Sequence, residues 1–203
     1  MIPLLVALAL APAGPPPPPP ASATLDTAWF AGGCFWGVEG IFEHVAGVVS
    51  ARSGYAGGTT RNPTSEQVYR GGTGHAETVE VVFDPARVSY RQLLMIFFLV
   101  AHDPTELDRQ GPDSGTDYRS IAFYRDSAQR GAIDALIADL QAKHIYRSPI
   151  VTEVVALKAF YPAEAFHQHY MEHHLDDPYI ATNDVPRLAA LRREFPGLYR
   201  AVW

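Results

Sequence analysis

The one cysteine of this chain has glycines and aromatic residues as its neighbours. Cys34 lies within the run GGCFWG, and apolar residues recur at helical spacing from Val38 to Val45. The sequence therefore places Cys34 where a short strand passes into a helix. Backbone N–H groups and the dipole at a helix N-terminus lower the pKa of a thiol, and the thiolate is the nucleophilic form. A core cysteine is the common alternative, but a core residue does not need a glycine-rich turn.

Strands and helices alternate around two long polar loops, which span residues 56–74 and 102–117. Loops of this length in compact domains often carry function. The pattern predicts strands at 27–30, 48–55, 78–83, 120–124 and 150–156, and helices from Cys34 to about Val45, from Ser89 to about Val100, and at 127–143, 163–174 and 185–195. This alternation predicts an α+β or α/β domain built on one mixed sheet.

The composition is that of a globular chain with one unusual end. Of the 203 residues, 47% are hydrophobic and 19% are charged, which excludes bulk disorder, and a single cysteine excludes a disulfide scaffold. The net charge of -6, with no basic run, disfavours a nucleic-acid binder. Residues 1–23 carry no charge and eight of the 17 prolines, so we expect one catalytic domain at 24–203.

The first 23 residues have features of an export signal. An apolar run fills residues 1–14, and the small residues at 21–23 match a cleavage site, although no lysine or arginine precedes Leu4. The run is shorter than the about 20 residues that span a bilayer, so stable membrane insertion is not expected. The prolines at 15–20 predict a stiff spacer. We expect a signal peptide and export to the periplasm; a cytoplasmic protein with an N-terminal tail is the alternative.

Several motifs together resemble one enzyme family, the type A peptide methionine sulfoxide reductases, which reduce the S epimer of methionine sulfoxide. The resemblance spans about residues 27–200. It rests on GCFWG at 33–37, GYAGG at 54–58, NPT at 62–64, GHAE at 74–77, HDPT at 102–105, RQG at 109–111, YRS at 118–120, FYPAE at 160–164 and HQ at 167–168. The resemblance implies an α+β fold, a two-layer sandwich with a mixed sheet related to ferredoxin-like folds, and a monomer.

Reduction of a sulfoxide by a thiol needs a nucleophile, an acid that protonates the oxygen, hydrogen-bond donors and an apolar pocket for the methyl group. By the resemblance, Cys34 is the nucleophile and becomes a sulfenic acid. Glu77 is the acid, and burial beside aromatic residues is expected to raise its pKa. Tyr118 is implied to hydrogen-bond the sulfoxide oxygen. Asp113 is implied to shape the loop that carries Tyr118.

The resemblance also assigns residues around the substrate. Phe35 and Trp36 match the family's methyl-binding pocket, and His75 is expected beside the substrate in a structural role. The family commonly has a tyrosine directly after its NPT motif, but this chain has Ser65 there. We expect Tyr69 or a water molecule to supply the missing hydroxyl if this loop turns helically. No bound cofactor and no metal are expected.

The single cysteine determines how the enzyme must be recycled. An internal disulfide cannot form, because no second cysteine is present in this chain. An external thiol is therefore expected to reduce the sulfenic acid, either a thioredoxin-like or glutaredoxin-like protein or a small molecule.

The sequence is also compatible with two other functions and with one metal site. Cys34 and His75 could form the pair of a Cys–His acyl transferase or hydrolase, although no third orienting residue occurs at a recognised spacing. The loss of the family tyrosine at Ser65 leaves open a module that binds oxidised methionine without turnover. His169 and His173 stand four residues apart and could share a metal, but a polar helix face is favoured because no further ligand set accompanies them.

Overall fold

The computed structural model describes residues 24–203. The predicted signal segment at 1–23 lies outside the described residues. The strands are β1 Asp26–Ala31, β2 Val48–Ala56, β3 Ala76–Phe83, β4 Arg109–Gln110, β5 Asp113–Ser114, β6 Ile121–Tyr124, β7 Glu153–Ala156 and β8 Phe160–Pro162. Six of them form the main sheet in the order β7-β6-β1-β3-β2-β8, and β4 pairs with β5 in a separate hairpin. Only the β6–β7 pair within this described sheet is parallel, so the sheet is mixed.

Residues 24–203 form seven α-helices, and three short helical turns accompany them. The α-helices are α1 Phe35–Glu43, α2 Ser65–Tyr69, α3 Tyr90–Ile96, α4 Ser127–Ala142, α5 Tyr170–His173, α6 Pro178–Asn183 and α7 Val185–Glu194. A π-helical turn, Phe97–Ala101, continues α3, and 3-10 turns lie at Thr116–Tyr118 and Ala165–His167. Within the described range, none of these helices has the length and apolar character that a bilayer crossing requires.

The two faces of the sheet bury different clusters, and β1 contributes to both because its side chains alternate. Phe30 belongs to the larger cluster, which α1, α3, α4 and α7 cover, and it stacks on Phe42 of α1 with 5.2 Å between ring centroids. Trp29 points to the opposite face and packs in a small cluster with Phe123 of β6. Full burial of such side chains stabilises a fold by about 1.5–3 kcal/mol each. The helix layer on a mixed sheet confirms the α+β prediction.

Capping chemistry explains where several helices begin. The Ser89 side chain accepts from the backbone N–H of Gln92, and the Gln92 side chain accepts from Ser89 N–H, so a capping box forms at the start of α3, where the sequence predicted a helix to begin. Thr64 and Gln67 make the same box at α2, inside the segment predicted as a loop. Asp177 caps α6, which has Pro178 at its first position and was also not predicted.

The helix predicted at 163–174 is wrong. The chain there forms β8, a 3-10 turn and the four-residue α5. The Gln168 amide bonds both the N–H and the C=O of Ser53 on β2, so its side chain satisfies backbone groups of the sheet. His169 has a φ of 54°, a left-handed conformation that interrupts a helix. The strand predicted at 150–156 is shorter than expected, because β7 begins at Glu153.

Candidate active site

Two glycines allow β1 to turn directly into α1 at Cys34. A Cβ atom at Gly32 would lie 2.9 Å from the Phe97 ring. One at Gly33, whose φ is +91°, would lie 2.5 Å from Cγ of Gln110. The Gln110 side chain is held in turn by two hydrogen bonds to the backbone of Asp103. The close approach of Phe97 to Gly32 and of Gln110 to Gly33 therefore requires glycine at both positions.

Cys34 is the N-cap residue of α1 and is 8% exposed. Burial raises the pKa of its thiol well above the usual value, and the nearby carboxyl of Glu77 adds to this rise. The backbone N–H of Trp36 acts in the opposite direction and lowers the pKa. The pKa lowering expected from the helix N-terminus is therefore outweighed by desolvation. The resting sulfur is a thiol at neutral pH.

Glu77 faces the same helix turn from β3. Its Oε2 accepts a 2.9 Å hydrogen bond from the backbone N–H of Phe35, the residue after Cys34. Burial raises the pKa of Glu77 to about 8, the hydrogen bond from Phe35 lowers it, and the charges of Asp117 and Asp113 raise it further. The carboxyl is thus protonated at neutral pH, in agreement with the sequence-based expectation, and can donate a proton beside the sulfur.

Tyr118 lies on the 3-10 turn Thr116–Tyr118 and faces both reactive groups. Burial raises the pKa of its hydroxyl, and the charges of Glu77, Asp117 and Cys34 add to this rise, so the phenol remains a donor. Arg119 fixes the turn, because its Nη2 donates to the Gly74 carbonyl oxygen, three residues before Glu77, at 3.1 Å. The loop that carries Tyr118 is thereby tied to the strand that carries Glu77.

Asp113 on β5 is held by a residue that the sequence did not reveal as part of the site. It accepts a short hydrogen bond from the Tyr179 hydroxyl of α6. Burial raises the pKa of Asp113, while the Tyr179 hydrogen bond and the Arg187 charge lower it. Tyr179 itself faces Cys34, whose charge contributes to raising the pKa of the phenol. This hydrogen bond joins the loop that carries Asp113 and Tyr118 to α6 beside the site.

Aromatic rings form an apolar wall beside the sulfur. Trp36 stacks on Tyr170 of α5 with 3.7 Å between ring centroids, and its Nε1 donates to Nδ1 of His167 at 3.1 Å. Phe35 is buried and meets the edge of the His167 ring at 5.1 Å. The two residues predicted to line the methyl pocket thus lie together, with His167 and Tyr170 completing the wall.

Ser65 and Tyr69 take different places from those expected. The backbone N–H and the hydroxyl of Ser65 both donate to Oε1 of Glu164, at 2.9 and 3.1 Å. The loop does turn helically as α2, but Tyr69 is 78% exposed and directs its ring to solvent. Tyr55 on β2 is buried instead, its ring centroid 5.7 Å from that of Phe35. The phenol on the inner side is therefore Tyr55, a residue to which the sequence gave no role.

The hydroxyl of Tyr55 belongs to a polar group beside the aromatic wall. It donates to Oε2 of Glu164 at 3.5 Å. Burial raises the pKa of Tyr55, and the charges of Glu164 and then Glu77 add to the rise. Glu164 thus ties α2, β2 and the segment before His167 together. Tyr55 lies in the GYAGG motif and Glu164 in the FYPAE motif, and their places in these motifs are the sequence signal that could have identified them.

His75 is buried and has both ring nitrogens engaged. Its Nε2 bonds the carbonyl oxygen of Thr60 at 2.8 Å, and its Nδ1 accepts from the N–H of Gly58 at 3.1 Å. A neutral ring with the proton on Nε2 satisfies both bonds. The ring has no nitrogen left to accept a proton from Cys34, so the Cys–His pair of a transferase is not formed. His75 instead fixes the loop that precedes Glu77.

The histidines considered for a metal do not act as a pair. His169 bonds Glu43 of α1 through Nδ1, and its backbone N–H donates to Glu39 at 3.2 Å. Glu39, Glu43 and His169 form a group whose potential ligand atoms lie within 4.8 Å of one another. Glu39 also accepts from the Ser53 hydroxyl at 2.8 Å. These hydrogen bonds anchor the segment after His167 to α1, and the second oxygens of Glu39 and Glu43 are buried without a partner among the described residues.

Comparisons with known proteins agree with this geometry. The family model described as peptide methionine sulfoxide reductase matches residues 26–197. Peptide methionine sulfoxide reductase MsrA 2 of Mesorhizobium japonicum is 49% identical over 174 residues, which cover 86% of this chain and 89% of that protein. The reduced form of Mxr1 from Saccharomyces cerevisiae matches with a TM-score of 0.70 and 31% identity, over 74% of this chain and 86% of that chain.

The yeast protein also matches in a second state. Its structure in complex with Trx2 gives a TM-score of 0.51 and 25% identity, over 72% of this chain and 84% of that chain. With a family model that covers most of its length and a relative at 49% identity, the chain belongs to the peptide methionine sulfoxide reductases of the MsrA type, oxidoreductases that reduce methionine sulfoxide.

Proposed function

We propose that this chain reduces the S epimer of methionine sulfoxide, free, in peptides and on exposed protein surfaces, and so repairs oxidised proteins. The observation that carries the proposal is the contact of Glu77 with the first turn of α1. A carboxyl whose pKa is raised to about 8 accepts a hydrogen bond from Phe35 N–H, directly beside Cys34. A proton donor and a sulfur nucleophile thus share one aromatic-walled site, as sulfoxide chemistry requires.

The first half-reaction transfers oxygen between two sulfur atoms. Cys34 gives up its proton and its sulfur attacks the sulfoxide sulfur, which forms an S–S bond, while Glu77 donates a proton to the oxygen. The hydroxyl then passes to the Cys34 sulfur: the S–S bond and the S–O bond of the substrate break, an S–O bond to Cys34 forms, and methionine leaves. The proton that Cys34 gave up restores Glu77, so the net change is sulfoxide and thiol to methionine and sulfenic acid. The Tyr118 phenol supports the charge on the oxygen by hydrogen bonding.

The second half-reaction needs a reductant from outside the chain. One external thiol attacks the sulfenic acid, which releases water and leaves a mixed disulfide, and a second thiol frees Cys34 and departs as the disulfide. The complex of the yeast relative with Trx2 supports a thioredoxin-like protein in this role. A glutaredoxin-like protein or a small thiol would serve the same chemistry.

We further propose export to the periplasm, on the apolar run and the small residues that end at residue 23.

The epimer preference is tested with the full chain, dithiothreitol and each sulfoxide epimer of an N-blocked methionine in separate reactions. We expect methionine from the S form only, because the oxygen must point to Glu77 while the methyl group meets the wall of Phe35 and Trp36. Chromatographic quantification of methionine gives the readout, with dithiothreitol alone as the blank. Equal use of both epimers would contradict the proposal.

Tyr55 is proposed to supply the second hydroxyl of the pocket. Its phenol lies on the inner side of β2 and faces Glu77, whereas Tyr69 points to solvent. Tyr55→Phe is expected to lower kcat/KM about tenfold, the effect of losing one hydrogen bond in the transition state. Tyr69→Phe is the matched control and is expected to leave the rate unchanged. A loss in Tyr69→Phe with none in Tyr55→Phe would reverse the assignment.

A further inference from the structure

A carboxyl group without hydrogen-bond partners is buried behind the first turn of α1. Asp184 lies at the junction of α6 and α7 and is 0% exposed. Neither of its oxygens has a hydrogen-bond partner within residues 24–203. Burying a carboxylate without hydrogen bonds is strongly unfavourable, so such a group is rarely kept for stability. The reaction described above makes no use of it.

The sequence makes room for this carboxyl against the helix that carries the nucleophile. A Cβ atom at Gly37, the third residue of α1, would lie 2.1 Å from Oδ1 of Asp184. The absent side chain lets the carboxyl lie against the same turn that Cys34 caps. The Nη1 atom of Arg187 lies 3.6 Å from Oδ1, beyond hydrogen-bond distance, so the negative charge is only partly balanced.

We propose that Asp184 is an electrostatic positioning residue whose charge, applied from behind α1, adds to burial in opposing the ionisation of Cys34. A negative charge close to a thiol disfavours the thiolate. Peroxides oxidise the thiolate and not the thiol, so the resting sulfur is protected until substrate fills the site. The inference rests on the proposed function only in taking Cys34 as the nucleophile.

The surroundings of both groups support this role. Burial raises the pKa of Asp184 to about 7; Arg187 lowers it and Asp113 raises it. Asp184 is therefore fully charged in the alkaline range where Cys34 loses its proton. The groups that face Cys34 are Glu77 of β3, Asp113 of β5, Tyr118 of the 3-10 turn, Tyr170 of α5, Tyr179 of α6 and Asp184 itself.

The test is the pH dependence of Cys34 alkylation by iodoacetamide in the full chain. Asp184→Asn keeps the shape of the side chain and removes the charge, so we expect the alkylation midpoint to move to lower pH by about one unit. At a given pH below the midpoint, the variant then contains about ten times more Cys34 thiolate than the unmodified chain. Because a less basic thiolate is also about threefold less reactive, the net rate rises about threefold. Asp176→Asn removes an exposed carboxyl of the same segment and is expected to leave the midpoint unchanged.

The alkylation rate above the midpoint separates an electrostatic role from a structural one. Loosened packing would hydrate Cys34 and lower the midpoint too, but it would also raise the limiting rate of the fully ionised thiolate, whereas loss of the charge alone leaves that rate the same or lower. A lower midpoint together with a raised limiting rate would therefore also overturn the proposal. Asp184→Ser, which keeps a good N-cap residue for α7, provides a second variant if the asparagine does not fold. An unchanged midpoint in the variant that folds would overturn the proposal. Absence of sulfoxide turnover in the unmodified chain would instead overturn the proposed function and leave the alkylation result standing.

Discussion

Cys34→Ser is expected to abolish sulfoxide reduction, because the hydroxyl neither attacks sulfur nor stores the oxygen as a sulfenic acid. The unmodified chain, mixed with excess sulfoxide and no reductant, is expected to release one methionine per chain and then stop, since the chain contains one cysteine. Rapid quenching and quantification of methionine measure both results. Thermal unfolding of the variant near that of the unmodified chain is the control for folding.

Two results would contradict this expectation. Release of two methionines per chain without reductant would require a second redox group. Turnover by Cys34→Ser in dithiothreitol would assign the chemistry to the reductant or to another residue.

Glu77→Gln is expected to lower kcat/KM by about 10²- to 10⁴-fold, the range over which a positioned general acid contributes. Glutamine keeps the size of the side chain and removes the proton donor. Glu80→Gln is the matched control on the same strand: Glu80 bonds Arg52 and the Trp29 indole, so its loss is expected to leave the rate nearly unchanged. Equal rates in the unmodified chain and Glu77→Gln would remove Glu77 from the mechanism.

The pH profile of the two proteins gives an independent check on Glu77. Below about pH 8 the carboxyl is protonated, and kcat/KM rises with pH because the thiolate fraction of Cys34 rises. Above about pH 8 the carboxyl ionises, and this loss offsets the further gain in thiolate until Cys34 is ionised, so the rise flattens. Glu77→Gln is expected to lack this bend and to rise until Cys34 is ionised.

The sequence predicted the parts of the site that local motifs carry. The helix after Cys34, the helix that begins after Ser89 and the strand β3, which carries Glu77, follow from short patterns that the fold leaves intact. The same kind of pattern was present for α2, in the box of Thr64 and Gln67, and was overlooked within a glycine-rich loop.

Contacts between distant segments could not be predicted in this way. Glu164 accepts from Ser65 across 99 residues, and Tyr179 donates to Asp113 across 66. The segment at 163–174 has a composition suited to a helix, but Gln168 bonds the backbone of β2, so tertiary contacts override the local preference. The pKa of Cys34 is raised and not lowered as the helix end alone predicts, because the helix end is local whereas burial depends on the whole fold.

The indole of Trp36 gives the chain a built-in fluorescent reporter. Trp36 follows Cys34 by two residues, and its ring stacks on Tyr170 and bonds the imidazole of His167. Emission from such a ring depends on its contacts, so filling of the pocket and oxidation of Cys34 change the signal without an added dye. Trp29 on β1 and Trp203 beside His44 also fluoresce, and the emission of the Trp36→Phe variant measures their contribution to the total signal. Individual steps of the cycle can therefore be timed in a stopped-flow instrument with unlabelled protein.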